Sequence, residues 1–267
     1  MRETAGADGA NATASASLEV VSITKRFGSV TALSDVSMSV GIGEIHGLIG
    51  PNGSGKTTLF NLICGQDQPT SGSVNLFGTK STGRPPETIA EMGIARTFQI
   101  PRSFADLTVR DNVRAAAHMH GSVGLVRGMV RLPPTRREER LVSDFANDVL
   151  AFVGIEHLAE KRAATLASGH ARLLEISRAL ATRARLVLMD EPAAGLSHYE
   201  MERVADLVRD LQRRGISILV VEHNMNFVMS LCDRVSVLFN GTLLAVGTPS
   251  EVRADSRVIN AYLGTRP

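Results

Sequence analysis

Apolar runs of strand length alternate along the chain with stretches of helical periodicity. Residues 45–49 (IHGLI), 185–189 (RLVLM) and 216–221 (ISILVV) are nearly continuous in apolar side chains. That pattern suits strands covered on both faces in a parallel sheet. Between them, 166–180 carries Leu173, Leu174, Ile176 and Leu180 on one helical face. The stretch 199–214 carries Met201, Val204, Leu207, Val208 and Leu211, and Gly215 stops it. Ser197-His198-Tyr199-Glu200 has the form of a capping box that would open this helix. Alternating strands and helices predict a twisted, mostly parallel core sheet.

The flanks read differently. Residues 18–24 and 31–40 are strand-like, the second leaning toward alternation through Leu33, Val36, Met38 and Val40, and 73–77 adds another strand. These predict an antiparallel N-terminal β portion. Residues 78–90, with Pro85 and Pro86, read as a loop. From 101 to 165 the chain becomes Arg-rich and helical in pattern, with a helix over 107–117 and a Gly-containing loop over 121–134. A longer helix opens at Arg136 and carries Leu141, Phe145, Val149, Phe152 and Val153 until Gly154 ends it. This predicts a helical subdomain over 101–165, inserted between core segments 18–100 and 166–267. The runs 235–239 and 242–246 flank Asn240-Gly241, a hairpin signal. A short helical pattern closes the chain over 249–264, and residues 1–17 have so few apolar side chains that they read as a disordered tail.

Composition narrows the classes. A chain of 267 residues, 43% hydrophobic, suffices for one large domain with a subdomain. A formal net charge of +2 argues against a bulk electrostatic nucleic-acid binder, so no nucleic-acid partner is expected. Cys64 and Cys232 lack metal-ligand spacing and suit reduced, buried thiols. No apolar run approaches the roughly 18 residues of a membrane span, so a membrane role requires a partner subunit.

The chemistry concentrates after the first apolar run. Gly50, Gly55, Lys56 and Thr57 fit G-x-x-x-x-G-K-[ST] between a strand and a helix. Such a loop turns backbone N–H groups inward onto phosphate oxygens, so Asn52, Gly53, Ser54, Gly55, Lys56, Thr57 and Thr58 form the candidate cradle. Lys56 would reach the β- and γ-phosphates and the Thr57 hydroxyl would ligate Mg²⁺. Asp190 ends a buried strand and suits the Mg²⁺-binding acid of a P-loop NTPase, with Glu191 next to it placed to act on a water. Ser168 and Gly169 stand at a helix start, where free N–H groups meet an anion. Phe27, alone among polar residues, offers a ring to stack on a base.

Together, GPNGSGKTT, LVLMDEP, Gln99, LASGH and VVEH resemble the ATP-binding subunit of ABC transporters over about residues 18–265. ARTFQ, LASGH, DEPAAGL, EHNM and the AYLG ending are similar to the ATPases of high-affinity branched-chain amino acid importers. The resemblance implies an ABC ATPase fold binding ATP and Mg²⁺, with Phe27 stacked on adenine. It gives Gln99 contact with Mg²⁺, the attacking water and the membrane subunit. Asp190 becomes a Mg²⁺ ligand through water, Glu191 the base and His223 a γ-phosphate contact. Ser168 and Gly169 would close on ATP held by a second subunit, a like copy or a paralogue. Transmembrane permease subunits, and indirectly a periplasmic solute-binding protein, follow as partners at the cytoplasmic face of the membrane. Two departures stand out: His170 where Gln is usual in the signature stretch, and Ser197 where Asp or Asn usually follows DEPAAGL. The alternatives are an exporter ATPase of the lipopolysaccharide type, a non-transport ABC ATPase of translation or DNA repair, and a regulator without turnover.

Overall fold

The computed structural model describes residues 16–97, 103–118 and 136–263. In chain order these give β1 (Ala16–Phe27), β2 (Val30–Gly41), β3 (Ile45–Ile49), α1 (Lys56–Ile63), β4 (Ser71–Leu76), β5 (Thr79–Lys80), α2 (Pro86–Glu91), β6 (Ile94–Arg96) and α3 (Val109–His118). There follow α4 (Arg136–Val153), α5 (Ser168–Ala181), β7 (Leu186–Asp190), α6 (His198–Arg213), β8 (Ser217–Val221), α7 (Met225–Leu231), β9 (Arg234–Phe239), β10 (Thr242–Gly247), α8 (Pro249–Ala254) and α9 (Ser256–Leu263). An antiparallel sheet has the order β2-β1-β4-β5, and a second sheet has the order β10-β9-β3-β8-β7-β6. In the second sheet β9, β3, β8, β7 and β6 run parallel, and β10 pairs antiparallel at its edge.

The continuous apolar runs have a simple cause. Side chains of a strand alternate between faces, and both faces of the parallel sheet are covered. Ile45, Ile49, Val187, Met189, Ile218 and Val220 pack in one core with side chains of α3, α4, α5, α6 and α7. Leu48, Leu186, Leu188, Leu219 and Val221 face the other way, into a core shared with α1 and the antiparallel sheet. Both faces need apolar side chains, so β3 and β8 are buried at every position.

Three details differ from the pattern-based reading. The stretch 78–90 holds β5 and α2, not only loop; Pro86 stands in the first turn of α2, where its missing N–H costs nothing, and Glu87 joins it there. β1 begins at Ala16, two residues before the strand-like run read from residue 18, with Ser17 fully buried and its hydroxyl donating to the Val40 carbonyl at 3.1 Å. The helix expected over 107–117 starts at Val109, because the Thr108 hydroxyl accepts the Asp111 N–H at 3.0 Å and caps it. The loop expected over 121–134 lies outside the described residues. Both cysteines are free and buried; burial pushes the Cys64 thiol up to about 11 and Cys232 higher still, which makes both unreactive.

β3, β8 and β7 are parallel neighbours, so their carboxyl ends lie side by side. Ligands of open α/β sheets bind at that edge.

Candidate active site

β3 leads into a loop with no room for side chains at two positions. A Cβ on Gly50 would come within 2.1 Å of the Leu238 carbonyl oxygen. Gly55 has φ +104, and a Cβ there would meet Leu33 Cδ2 at 2.7 Å and the Ala32 oxygen at 2.8 Å. The turn between β9 and β10 braces the loop: the Gly241 N–H donates to the Ser54 carbonyl at 3.0 Å, and the Ser34 N–H donates to the Gly241 carbonyl at 2.8 Å. Glycine is therefore required by packing as well as by the motif. Lys56, Thr57 and Thr58 form the first turn of α1, whose N–H groups have no acceptor within the helix. Asn52, Gly53 and Thr57 are exposed, and Ser54 is buried. The Lys56 ammonium donates to the carbonyls of Gly50 at 2.6 Å and Pro51 at 2.9 Å. Burial lowers its pKa, and the carboxylates of Glu191 and then Asp190 oppose that shift.

The acids stand at the end of β7. Asp190 Oδ2 accepts from Arg96 Nη2 at 2.9 Å, and the same guanidinium donates through Nη1 to Asn61 Oδ1 and Gln66 Oε1, both at 2.9 Å. Glu191 is held at φ +47, a left-handed conformation that costs a non-glycine residue of order 1 kcal/mol or more. Its N–H donates to the Val221 carbonyl at 2.8 Å. His223, two residues beyond β8, places Nδ1 3.5 Å from Glu191 Oε1. Between them lies Glu222, fully buried and not given a role by the sequence patterns. Arg172 in α5 is also buried, 4% exposed; burial lowers its pKa, while Glu175, Glu222, Asp190 and Glu191 raise it.

Lys56, Asp190, Glu191 and His223 thus come together. Phe27 lies at the end of β1, 50% exposed, with the Lys25 ammonium 4.6 Å from its ring centroid. Ser168 and Gly169 open α5 beside a different group, Glu200 of the capping box: a Cβ on Gly169 would lie 2.1 Å from Glu200 Oε1. His170 stacks edge-on with His157 at 6.2 Å. Gln99 lies outside the described residues. Arg96, Arg172 and Glu222 were missed by motif reading; the one signal available was three charged residues inside otherwise apolar or strand-ending stretches.

A phosphate-binding loop, a strand-end acid pair and a facing histidine on a parallel sheet define a P-loop nucleotide-binding ATPase core. The family described as ABC transporter matches residues 33–194, and the family described as branched-chain amino acid ATP-binding cassette transporter matches residues 242–266. The high-affinity branched-chain amino acid transport ATP-binding protein BraF of Pseudomonas aeruginosa is 40% identical over 248 residues, 92% of this chain and 97% of that protein. The LivG protein of Escherichia coli, described in the same words, shows the same identity and coverage. Among solved structures, the ADP conformation of MJ1267, an ATP-binding cassette of an ABC transporter, superposes with TM-score 0.82 at 33% identity, covering 93% of this chain and 99% of that one. The chain belongs to the ABC transporter family, as an ATP hydrolase of the ATP-binding cassette type.

Proposed function

We propose that this chain is the ATP-hydrolysing motor subunit of a membrane importer for branched-chain amino acids or similar small polar solutes. The convergence of Lys56, Asp190, Glu191 and His223 at adjacent strand ends carries the ATPase part. The C-terminal match and the relatives' names favour the importer over the exporter and non-transport alternatives.

ATP phosphates fit a loop whose N–H groups are free at the start of α1 and whose cation already sits over the loop. Binding would move the Lys56 ammonium from the Gly50 and Pro51 carbonyls onto phosphate oxygens. The Thr57 hydroxyl and the Asp190 carboxylate are hard oxygen donors of the kind Mg²⁺ takes, so the residues fit the ion. Thr57 and Asp190 would hold Mg²⁺, which would supply positive charge against the phosphates. Glu191 accepts the proton of the attacking water, and His223 beside it contacts the γ-phosphate. Phe27 stacks on adenine, and Gln99 reports the state of the site to a permease subunit. Ser168 and Gly169 supply N–H groups and a hydroxyl to ATP held by a second ATP-binding subunit. Among the described residues no helix is long and apolar enough to cross a membrane, so permease subunits would hold the chain at the cytoplasmic face. A periplasmic solute-binding protein would deliver the solute to them.

Glu191→Gln tests the reading, since it keeps size and hydrogen bonding but cannot take a proton. ATP hydrolysis is expected to fall by roughly 10²-fold or more while ATP binding survives. Size-exclusion chromatography should show an ATP-dependent dimer, alone or mixed with its paralogue. Cells relying on this variant should lose uptake of labelled leucine. Wild-type turnover in the variant overturns the assignment of Glu191, and leucine uptake independent of this chain overturns the importer.

A further inference from the structure

Glu222 uses both of its carboxylate oxygens on backbone groups of two different segments. Oε1 accepts the Ala193 N–H at 2.8 Å, two residues past Glu191. Oε2 accepts the N–H groups of His223 at 3.0 Å and Asn224 at 3.2 Å. The side chain has no solvent exposure, so it cannot itself meet ATP or water. The segments it ties carry the two groups that face each other across 3.5 Å, Glu191 and His223. Asn224 continues the tie, because its side chain accepts the Phe227 N–H and caps α7.

We propose that Glu222 is a positioning residue for hydrolysis, fixing the turn after Glu191 and the His223 segment as one unit. This rests on the roles given above to Glu191 and His223. The chemistry requires an acceptor on both sides. A glutamine presents one acceptor oxygen and one NH₂, so Glu222→Gln sets a donor against either the Ala193 N–H or the His223 and Asn224 pair. Either way one segment loses its anchor, and a buried N–H is left unpaired. Angular freedom of Glu191 against His223 follows, and misplacement of about 1 Å can cost on the order of 10²-fold in rate.

The experiment uses the full chain. Glu222→Gln is expected to lower kcat by 10-fold or more, with KM and the affinity for a fluorescent ATP analogue unchanged. Without nucleotide, hydrogen–deuterium exchange should quicken at residues 193 and 223–224 and stay as in wild type at α1. In the Glu191→Gln background the second substitution should add little further loss, because both act on one step. Glu222→Asp keeps two acceptor oxygens but shortens the reach; it should give the same pattern with a smaller loss, and it serves if the glutamine variant does not fold. A folded variant with wild-type kcat and wild-type exchange overturns the proposal, as does a loss that multiplies fully onto that of Glu191→Gln. If Glu191→Gln alone turns over normally, the assignment of Glu191 fails instead, and the exchange measurement still decides whether Glu222 ties the two segments.

Discussion

Helices α1 and α5 both begin without a side-chain cap, on Gly55 and Ala167, whereas α6, α7 and α8 begin on Ser197, Asn224 and Thr248, whose side chains accept an N–H from the first turn. A cap consumes a donor that an anion could otherwise use, so the uncapped starts of α1 and α5 keep theirs for phosphate; α2 also starts without a side-chain cap, but there Pro86 removes an N–H. The side chain set against each end differs in sign, although Glu191 and Asp190 also stand near Lys56, and His170 and Arg203 near Glu200. The start of α1 carries Lys56 over a loop braced by β2 and the β9–β10 turn. The start of α5 has the carboxylate of Glu200 against Gly169. One end can gather phosphates by itself. The other offers donors beside an acid, in keeping with the proposal that it meets a phosphate held by another subunit.

Removing the cation from α1 is the most severe way to break this contrast. Lys56→Ala is expected to cut hydrolysis by on the order of 10³-fold, since a charge aimed at the developing transition state is lost. The melting temperature should hold, because among the described residues the hydrogen bonds of the ammonium go to two loop carbonyls, at Gly50 and Pro51. Turnover retained in a phosphate-release assay would mean that the α1 end works through neutral donors, as the α5 end does, and the distinction would collapse.

A smaller effect sharpens the α1 side. Phe27 is half exposed at the tip of β1, so its truncation leaves no cavity in the core. Stacking on a base contributes about 1–3 kcal/mol in nucleic-acid cases, and 1.4 kcal/mol is tenfold in affinity. Phe27→Ala is therefore expected to weaken ATP binding about tenfold, measured by titration calorimetry, with kcat at saturation preserved. Unchanged affinity would confine recognition to the phosphates.

The α1 side was also the more legible in sequence. Its loop is local: strand, glycines, Lys56 and helix follow one another within twenty residues, and the same holds for Asp190 and Glu191 at the end of an apolar run. The Ser197 box and the Asn240-Gly241 turn were readable for the same reason; the turn's residues have φ +47 and +77, as a tight hairpin needs. What escaped was built by distance in the chain. Arg96 reaches Asp190 across 94 positions, and Glu222 reaches Ala193 across 29, so no local period marks either. α2 escaped for a different reason: two prolines suggest a loop, yet the second stands in the first turn, where proline suits a helix. The brace from Gly241 to Ser54 was hidden as well, because a hairpin signal does not say what its tip will touch.

The mildest test concerns the acid at the α5 end. The Glu200 carboxylate accepts the Ser197 N–H at 2.9 Å and the Ser197 hydroxyl at 2.8 Å. The Ser197 N–H and then its hydroxyl hold the Glu200 carboxyl below its ordinary 4.5, with the nearby His170 adding to the same direction. A depressed folded pKa means that ionised Glu200 adds stability above the unfolded pKa and loses it as pH falls through the folded one. Glu200→Gln keeps an acceptor for the cap but removes the charge. At pH 7 its melting temperature is expected to lie about 1–2 °C below wild type, the scale of a small surface effect in a chain of this size. The gap should narrow as pH drops below about 4.5 and close once wild-type Glu200 is protonated as well. Thermal melts from pH 7 to pH 3 measure it. A gap that stays constant down to pH 3 would show that α6 gains nothing from the charge itself. The contrast between a cationic α1 start and an acidic α5 start would then hold in composition but carry no energy.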